Sequence, residues 1–217
     1  RERRVTGFQE KPKDPMPMPD ARDRAYASMG NYIFNRDILV DALAKAQERA
    51  QHDFGAHIIP ALVESGRVFA YDFGRNSIPG TRPYEKPGYW RDVGTIPAYF
   101  KAHMDMLGEE PVFDLQNSQW PIHPAGYEGP AARILSGEIR NSIISEGVIV
   151  RDARIVNSVI RRDVVIEDGA SVEDSIIMEH AVVGKGCRLR RVIVDKFNVF
   201  PEGFEAGFGE CRDRLPS

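Results

Sequence analysis

Apolar residues recur every seventeen positions through the last third of the chain, in three interleaved series. Ile160, Ile177 and Val194 form one; Ile149, Ile166, Val183 and Phe200 a second; Ile155, Val172, Leu189 and Ala206 a third. Within a period the steps are six, six and five. A triangular coil of parallel strands needs that spacing, because each short side must turn one apolar residue inward. A β-sandwich would instead show strict alternation, with turns every 8–12 residues or so. Each inward aliphatic stabilises by about 1.5–3 kcal/mol on full burial. One coil is therefore marginal, and stacked coils build the continuous core. The prediction is a parallel β-helix over residues 134–210, followed by a tail at 211–217. Its first coil is ambiguous, since either Ile143, Ile149 and Ile155 or Ile144, Val150 and Val156 can point inward. Gly147, Asn157, Gly169, Gly184, Gly186 and Gly203 fall at corners, where positive φ is tolerated.

Ahead of the repeat, residues 1–107 read as mixed α/β. Val5 to Phe8, Met29 to Phe34 and Val68 to Phe73 are predicted strands. Asp37 is the predicted N-cap of a helix with Ile38, Leu39, Leu43 and Ala46 on one face. A second helix starts near Asp53, with Phe54, Ile58, Ile59, Leu62 and Val63 on its apolar side and Gly66 at its C′ position. Pro60 lies close enough to its start to be tolerated or to bend it. Asn76 to Gly88 is a loop, and Thr95 caps a third helix that carries Pro97, Tyr99, Phe100, His103 and Leu107. Residues 108–133, rich in Pro and Gly, form a connector whose Trp120 is expected to pack on a neighbouring element.

Charge and composition narrow the function classes. The formal net charge of −3 comes from interleaved acidic and basic residues. That argues against a nucleic-acid or membrane-surface role, which needs a strongly basic face. No apolar run approaches the roughly 20 residues of a membrane helix, and no secretory leader is visible. Cys187 and Cys211 are too few for a disulfide framework and lack metal-ligand spacing. A reducing cytoplasm is the expected setting. The chain opens Arg1-Glu2-Arg3-Arg4 without methionine, as expected of a segment of a longer protein.

Three constellations can carry chemistry. In Phe8-Gln9-Glu10-Lys11-Pro12, a lysine at a strand end before proline sits on a rigid backbone and can neutralise a phosphate. Alone, a surface Lys-Pro is as readily a solvated lysine. In Tyr89-Trp90-Arg91-Asp92-Val93-Gly94-Thr95, a carboxylate lies beside an aromatic residue ahead of a capped helix. Asp92 there can bind Mg²⁺, which takes one or two protein carboxylates plus phosphate oxygens, or can simply face the helix dipole. In His52-Asp53-Phe54-Gly55, Asp53 is either a ligand-binding carboxylate or an N-cap.

Taken in order, these segments resemble the second half of bacterial glucose-1-phosphate adenylyltransferase (ADP-glucose pyrophosphorylase). The likeness rests on Gln9-Glu10-Lys11-Pro12, Ala27-Ser28-Met29-Gly30-Asn31-Tyr32-Ile33-Phe34, His52-Asp53-Phe54-Gly55 with Ile59-Pro60, and Tyr89 to Thr95. Asn117-Ser118-Gln119-Trp120-Pro121-Ile122 and Gly186-Cys187-Arg188-Leu189-Arg190-Arg191 add to it. The resemblance implies part of a nucleotidyltransferase α/β domain followed by a left-handed β-helix of hexapeptide repeats. Left-handedness comes from the resemblance, because parallel crossovers are otherwise nearly always right-handed.

The implied reaction is ATP plus glucose 1-phosphate giving ADP-glucose and diphosphate, in glycogen biosynthesis. By the same resemblance, Lys11 holds the sugar phosphate and Glu10 contacts the sugar. Ser28 and Asp53 hydrogen-bond sugar hydroxyls, Phe54 and Trp90 supply apolar walls, and Asp92 helps bind Mg²⁺. The family's Gly-rich nucleotide loop and second metal carboxylate belong to its first half, and no Gly-x-Gly-x-Arg stretch precedes a helix in these residues. The isolated chain is therefore expected to bind ATP poorly and not to turn over. Arg188 and Arg190 flank inward Leu189 and should both point outward; they are candidates for a phosphorylated allosteric effector, or a solvated basic patch. A homo-oligomer, expected as a tetramer, completes what the likeness implies. Other readings are a related sugar-1-phosphate nucleotidyltransferase and a non-catalytic regulatory or oligomerisation module. A hexapeptide acyltransferase fits less well, because His180 is the one histidine in the coils and no acyl-CoA signature accompanies it.

Overall fold

A computed structural model describes residues 3–18, 21–66, 68–123, 126 and 129–208. Cys211 and the predicted tail at 211–217 lie outside the described residues, as do Arg1 and Glu2. The chain divides into two units, Arg1–Phe73 and Gly74–Ser217. Among the described residues no helix is long and apolar enough to cross a membrane.

In the first unit, β1 (Arg3–Arg4) pairs antiparallel with β4 (Phe69–Ala70), and the Val5 amide extends the contact to the Val68 carbonyl at 2.8 Å. The strands predicted at Val5 to Phe8 and Val68 to Phe73 are thus shorter and shifted. β2 (Pro17–Met18) and β3 (Ala21–Ala25) form a small antiparallel ribbon. Met29 to Phe34, predicted as a strand, is irregular. A strand needs a partner ladder, and none of the described strands pairs with it; Gly30 has φ +74, and its amide turns back onto Ser28 Oγ at 3.1 Å.

Helix α1 (Arg36–Glu48) is capped by Asn35, whose side chain accepts from the Asp37 amide at 3.1 Å. The cap is therefore Asn35 rather than Asp37, because Asn35 holds the extended backbone a cap requires (φ −63°, ψ 131°). Of the expected apolar face only Ala46 is buried, with Leu39 half-buried; Ile38 and Leu43 remain exposed. A π-helical turn at Phe54–Ile58 runs into α2 (Ile59–Ser65), where Ile58 and Ile59 are buried and Leu62 and Val63 half-buried. Gly66 closes α2 through its amide to the Leu62 carbonyl at 2.8 Å, but with extended backbone (φ −132°) rather than the left-handed C′ geometry predicted.

In the second unit, residues 76–88 are turns and loop. Helix α3 (Ile96–Met104) begins as predicted, with Thr95 Oγ1 accepting from the Ala98 amide at 3.3 Å. Trp120 does not pack as expected; it is 59% exposed, on a turn whose amides bond to Asn117.

From β5 (Arg133–Arg140) onward the chain coils. One side stacks β6 (Ile143–Ile144), Val159–Ile160, Ile176–Ile177 and Ile193–Val194, all parallel. A second stacks the start of β7 (Ile149–Val156), Val165–Ile166, Val182–Val183 and Val199–Phe200. The third stacks β5, the end of β7, Ser171–Glu173, Arg188–Arg190 and Glu205–Ala206. Their inward residues, including Ile155, Ile160, Ile166, Val172, Ile177, Val183, Leu189 and Val194, form one buried core.

The first coil departs from the predicted register. Ile144 lies on Ile160, Val150 on Ile166 and Ile139 on Ile155, sixteen positions apart, before the period settles at seventeen. The inward set is Ile144, Val150 and Ile155, a mixture of the two alternatives, and Ile149 belongs to the outward series. One residue is missing at the corner that β7 crosses as continuous strand, where later coils turn at Gly169, Gly186 and Gly203. The layer beneath must accommodate that straight passage. A Cβ on Gly137 would lie 2.1 Å from the Ala153 carbonyl oxygen, so only glycine fits there.

A serine column ties a corner together. Ser158 Oγ donates to the Val156 carbonyl at 2.8 Å and accepts the Ser175 amide at 3.1 Å. Ser175 Oγ repeats this with Glu173 at 2.6 Å and the Val192 amide at 3.2 Å. Both serines are fully buried, so the column satisfies amides that water cannot reach.

Candidate functional site

Within the first unit, Glu10, Lys11, Asp53, Phe54 and Ser28 belong to two adjoining clusters, one charged and one aromatic. Lys11 is 90% exposed at its side chain, and its Nζ lies 3.1 Å from Glu10 Oε1. That carboxylate, hydrogen-bonded to the ammonium and opposite in charge, holds the Lys11 pKa above its ordinary value, with Asp53 adding attraction. Lys11 therefore remains a cation throughout the physiological range. It does not end a strand, contrary to expectation: it stands in a bend with φ +45, a left-handed backbone just before Pro12. Such conformations cost of order 1–3 kcal/mol for a non-glycine residue and cluster at functional sites.

Asp53 is an N-cap, since its Oδ1 accepts from the Ala56 amide at 2.6 Å. The same residue's backbone carbonyl accepts both the His57 and Ile58 amides, at 3.1 and 3.3 Å, which winds the first turn wide. Pro60 follows at the start of α2 and brings no amide of its own. The two alternatives for Asp53 are thus compatible: one oxygen caps while the residue stays exposed beside the cation.

Phe54 stacks on Tyr32, with ring centroids 6.3 Å apart and planes at 14°, and Phe34 tilts against both at 6.1 and 6.0 Å. Ser28 joins through its Oγ, 2.9 Å from the Tyr32 hydroxyl. Sequence reasoning singled out Phe54 and Ser28 but missed Tyr32 and Phe34 as parts of the same wall. The signal was present as two aromatics two residues apart in the irregular segment.

The second unit holds Trp90 and Asp92. Arg91 pairs with Asp105 at the C-terminal end of α3, and the Tyr89 hydroxyl donates to Asp105 Oδ2 at 3.0 Å while its ring stacks on Phe113 at 5.2 Å. This clamp, also unread in the sequence, anchors the segment and leaves Trp90 44% exposed. Asp92 Oδ1 accepts from the Gly94 amide at 3.1 Å, making a turn ahead of the Thr95 cap rather than lying on the helix itself. Only that oxygen is engaged among the described residues. No group of three or more metal-ligating side chains occurs among them.

On the β-helix, Arg188 and Arg190 flank buried Leu189 and are both exposed, as predicted. Arg188 Nη1 donates to Glu205 at 3.0 Å, and its guanidinium lies 4.6 Å from the Phe208 ring centroid. Arg190 makes no ion pair among the described residues.

Comparison with known proteins matches both halves of the chain. The family described as nucleotidyl transferase matches residues 1–109, and that described as GlmU-like, C-terminal hexapeptide matches residues 130–215. The chain is 58% identical over 213 residues to glucose-1-phosphate adenylyltransferase of Thermodesulfovibrio yellowstonii, covering 98% of this chain and 52% of the relative. It is 42% identical over 215 residues to the enzyme of that name from Corynebacterium jeikeium, covering 97% and 53%. It is 40% identical over 220 residues to that of Frankia casuarinae, covering 98% and 53%. The chain spans about half the length of the curated relatives it matches. It belongs to the nucleotidyl transferase family, and its coils are the left-handed β-helix of hexapeptide repeats.

Proposed function

We propose that this chain supplies the sugar-phosphate side of a glucose-1-phosphate adenylyltransferase, together with its β-helix. The observation that carries the reading is the meeting of an exposed, cationic Lys11 with Glu10 and Asp53, beside the Phe54 aromatic wall, in a chain so close to relatives of that name. In the reaction, ATP and glucose 1-phosphate give ADP-glucose and diphosphate. A phosphate oxygen of the sugar phosphate bonds to the α-phosphorus of ATP, and the bond from that phosphorus to the bridging oxygen breaks. Such transfers depend on positioning and charge neutralisation more than on covalent catalysis.

Lys11 neutralises the sugar phosphate as a point charge. Glu10, Asp53 and Ser28 accept from or donate to sugar hydroxyls, and Phe54 offers an apolar face to the ring. In the second unit, Trp90 presents an exposed aromatic face of the kind that suits a sugar ring. With only Oδ1 of Asp92 engaged among the described residues, its Oδ2 suits Mg²⁺, which needs few protein carboxylates. When bound, that ion neutralises charge on phosphate oxygens.

The reading extends to regulation and assembly: Arg190, with Arg188 beside it, binds a phosphorylated effector, the protein forms a homo-oligomer, and its setting is cytoplasmic. Titrating the chain with glucose 1-phosphate tests the sugar side. Binding that Lys11→Ala weakens supports it, and no binding at millimolar sugar phosphate contradicts it. An unchanged effector response in a charge-neutral Arg190 variant of the complete enzyme would remove the regulatory role.

A further inference from the structure

Glu10 divides its two carboxylate oxygens. Oε1 meets Lys11 Nζ at 3.1 Å, and Oε2 lies over the backbone of Gly55. A Cβ built on Gly55 would stand 2.1 Å from Oε2 and 2.9 Å from the carboxyl carbon, while Asp53 Oδ1 would be at an ordinary 3.5 Å. The space a side chain would fill is occupied by the acid itself. Beside it the wide first turn begins at Phe54, and Asp53 Oδ1 satisfies the Ala56 amide.

We propose that Gly55 is a positioning residue: by lacking a side chain it seats the Glu10 carboxylate, which in turn holds Lys11 where a sugar phosphate is received. The inference rests on the sugar-phosphate reading above and assigns a role to a residue that touches no substrate. Its φ lies outside the left-handed region, so alanine is compatible with the backbone. The obstructed atom is the far end of a flexible side chain. A methyl group at residue 55 would therefore swing the acid aside without unfolding the unit, and binding should register the change while stability does not.

The test uses the whole chain, glucose 1-phosphate as probe, and NMR titration of the Lys11 side chain. Gly55→Ala should keep the wild-type melting temperature and weaken glucose 1-phosphate binding about fivefold, the scale of one lost hydrogen bond. The Lys11 pKa should fall back toward its ordinary value as its partner leaves. In a Glu10→Ala background the same glycine substitution should change neither quantity further. Wild-type affinity and an unmoved Lys11 titration in Gly55→Ala would overturn the proposal, as would an equal loss with Glu10 absent. If Gly55→Ala fails to fold and Glu10→Ala does not restore it, the glycine serves the backbone and the proposal falls. If the wild-type chain binds no sugar phosphate, the functional reading fails, while the Lys11 titration still decides whether Gly55 seats Glu10.

Discussion

The β-helix and the first unit solve the problem of burial in opposite ways. In the coils every strand lies on a residue-matched copy of itself, so Ile160, Ile177 and Val194 stack in one column and the core closes on residues encoded within the repeat. In the first unit, Ala46, Ile58 and Ile59 are the buried apolar residues among those described, while Ile33, Ile38, Val40 and Leu43 stay exposed. The difference teaches where each kind of information resides. A repeat carries its own partner one period away. A mixed α/β layer depends on partners distant in sequence, and its short elements hold together by caps and local turns. The residues proposed to receive the sugar phosphate are in the second kind of region, where Lys11, Asp53 and Phe54 are exposed on a bend and a helix start.

The largest expected contrast is in core truncation. Ile177→Ala should cost about 2–5 kcal/mol of β-helix stability. Leu43→Ala on exposed α1 should cost no more than about 0.5 kcal/mol. Denaturant unfolding of the two variants measures both, and equal losses would break the comparison. The serine column comes next. Ser158→Ala leaves the buried Ser175 amide without its acceptor, while the Val156 carbonyl keeps the Asp174 amide, a loss of about 1–3 kcal/mol. Ser28→Ala removes an exposed contact and should shift stability by no more than about 0.5 kcal/mol.

How far these regions were legible follows from the same physics. The later coils could be read because one side of each carries a single apolar residue between polar ones, Val172 in Ser171–Glu173 and Leu189 in Arg188–Arg190, which fixes the step for the other two sides. The first coil could not, because Ile143-Ile144, Ile149-Val150 and Ile155-Val156 offer two adjacent apolar candidates at every side. The missing corner residue then changes the register midway, from Val150 to Ile155. In the first unit the residue types of the site were readable, but not the devices that place them. Asn35 and Asp37 are equally good caps on paper, and only the extended backbone at Asn35 decides between them. The Arg91–Asp105–Tyr89 clamp and the seat of Glu10 on Gly55 join residues far apart in sequence, and no periodicity announces such pairs.

Two smaller effects sharpen the contrast at opposite ends of the pH scale. Burial pushes the Glu179 pKa up, but its own backbone amide and the Arg161 guanidinium, 2.8 Å away, outweigh that and hold it below the ordinary carboxylate value. A depressed acid stabilises above its unfolded pKa, and that contribution disappears as pH falls through the folded one. Glu179→Gln should therefore cost about 1 kcal/mol near neutral pH and nothing in acid, read from melting temperature against pH. Lys11 has the opposite sign. Its pKa is raised, so its pairing with Glu10 persists below the ordinary lysine range and is lost as pH climbs above it. Glu10→Gln should move the Lys11 titration downward and leave the β-helix melting temperature unchanged.

The most direct test of the central claim, that the first unit receives a sugar phosphate on Lys11, is calorimetric titration of the whole chain with glucose 1-phosphate, repeated with Lys11→Ala. The account predicts saturable binding by the wild-type chain, weakened about tenfold to a hundredfold by loss of the ammonium with no change in melting temperature. Equal binding by both chains, or none by either, would contradict it.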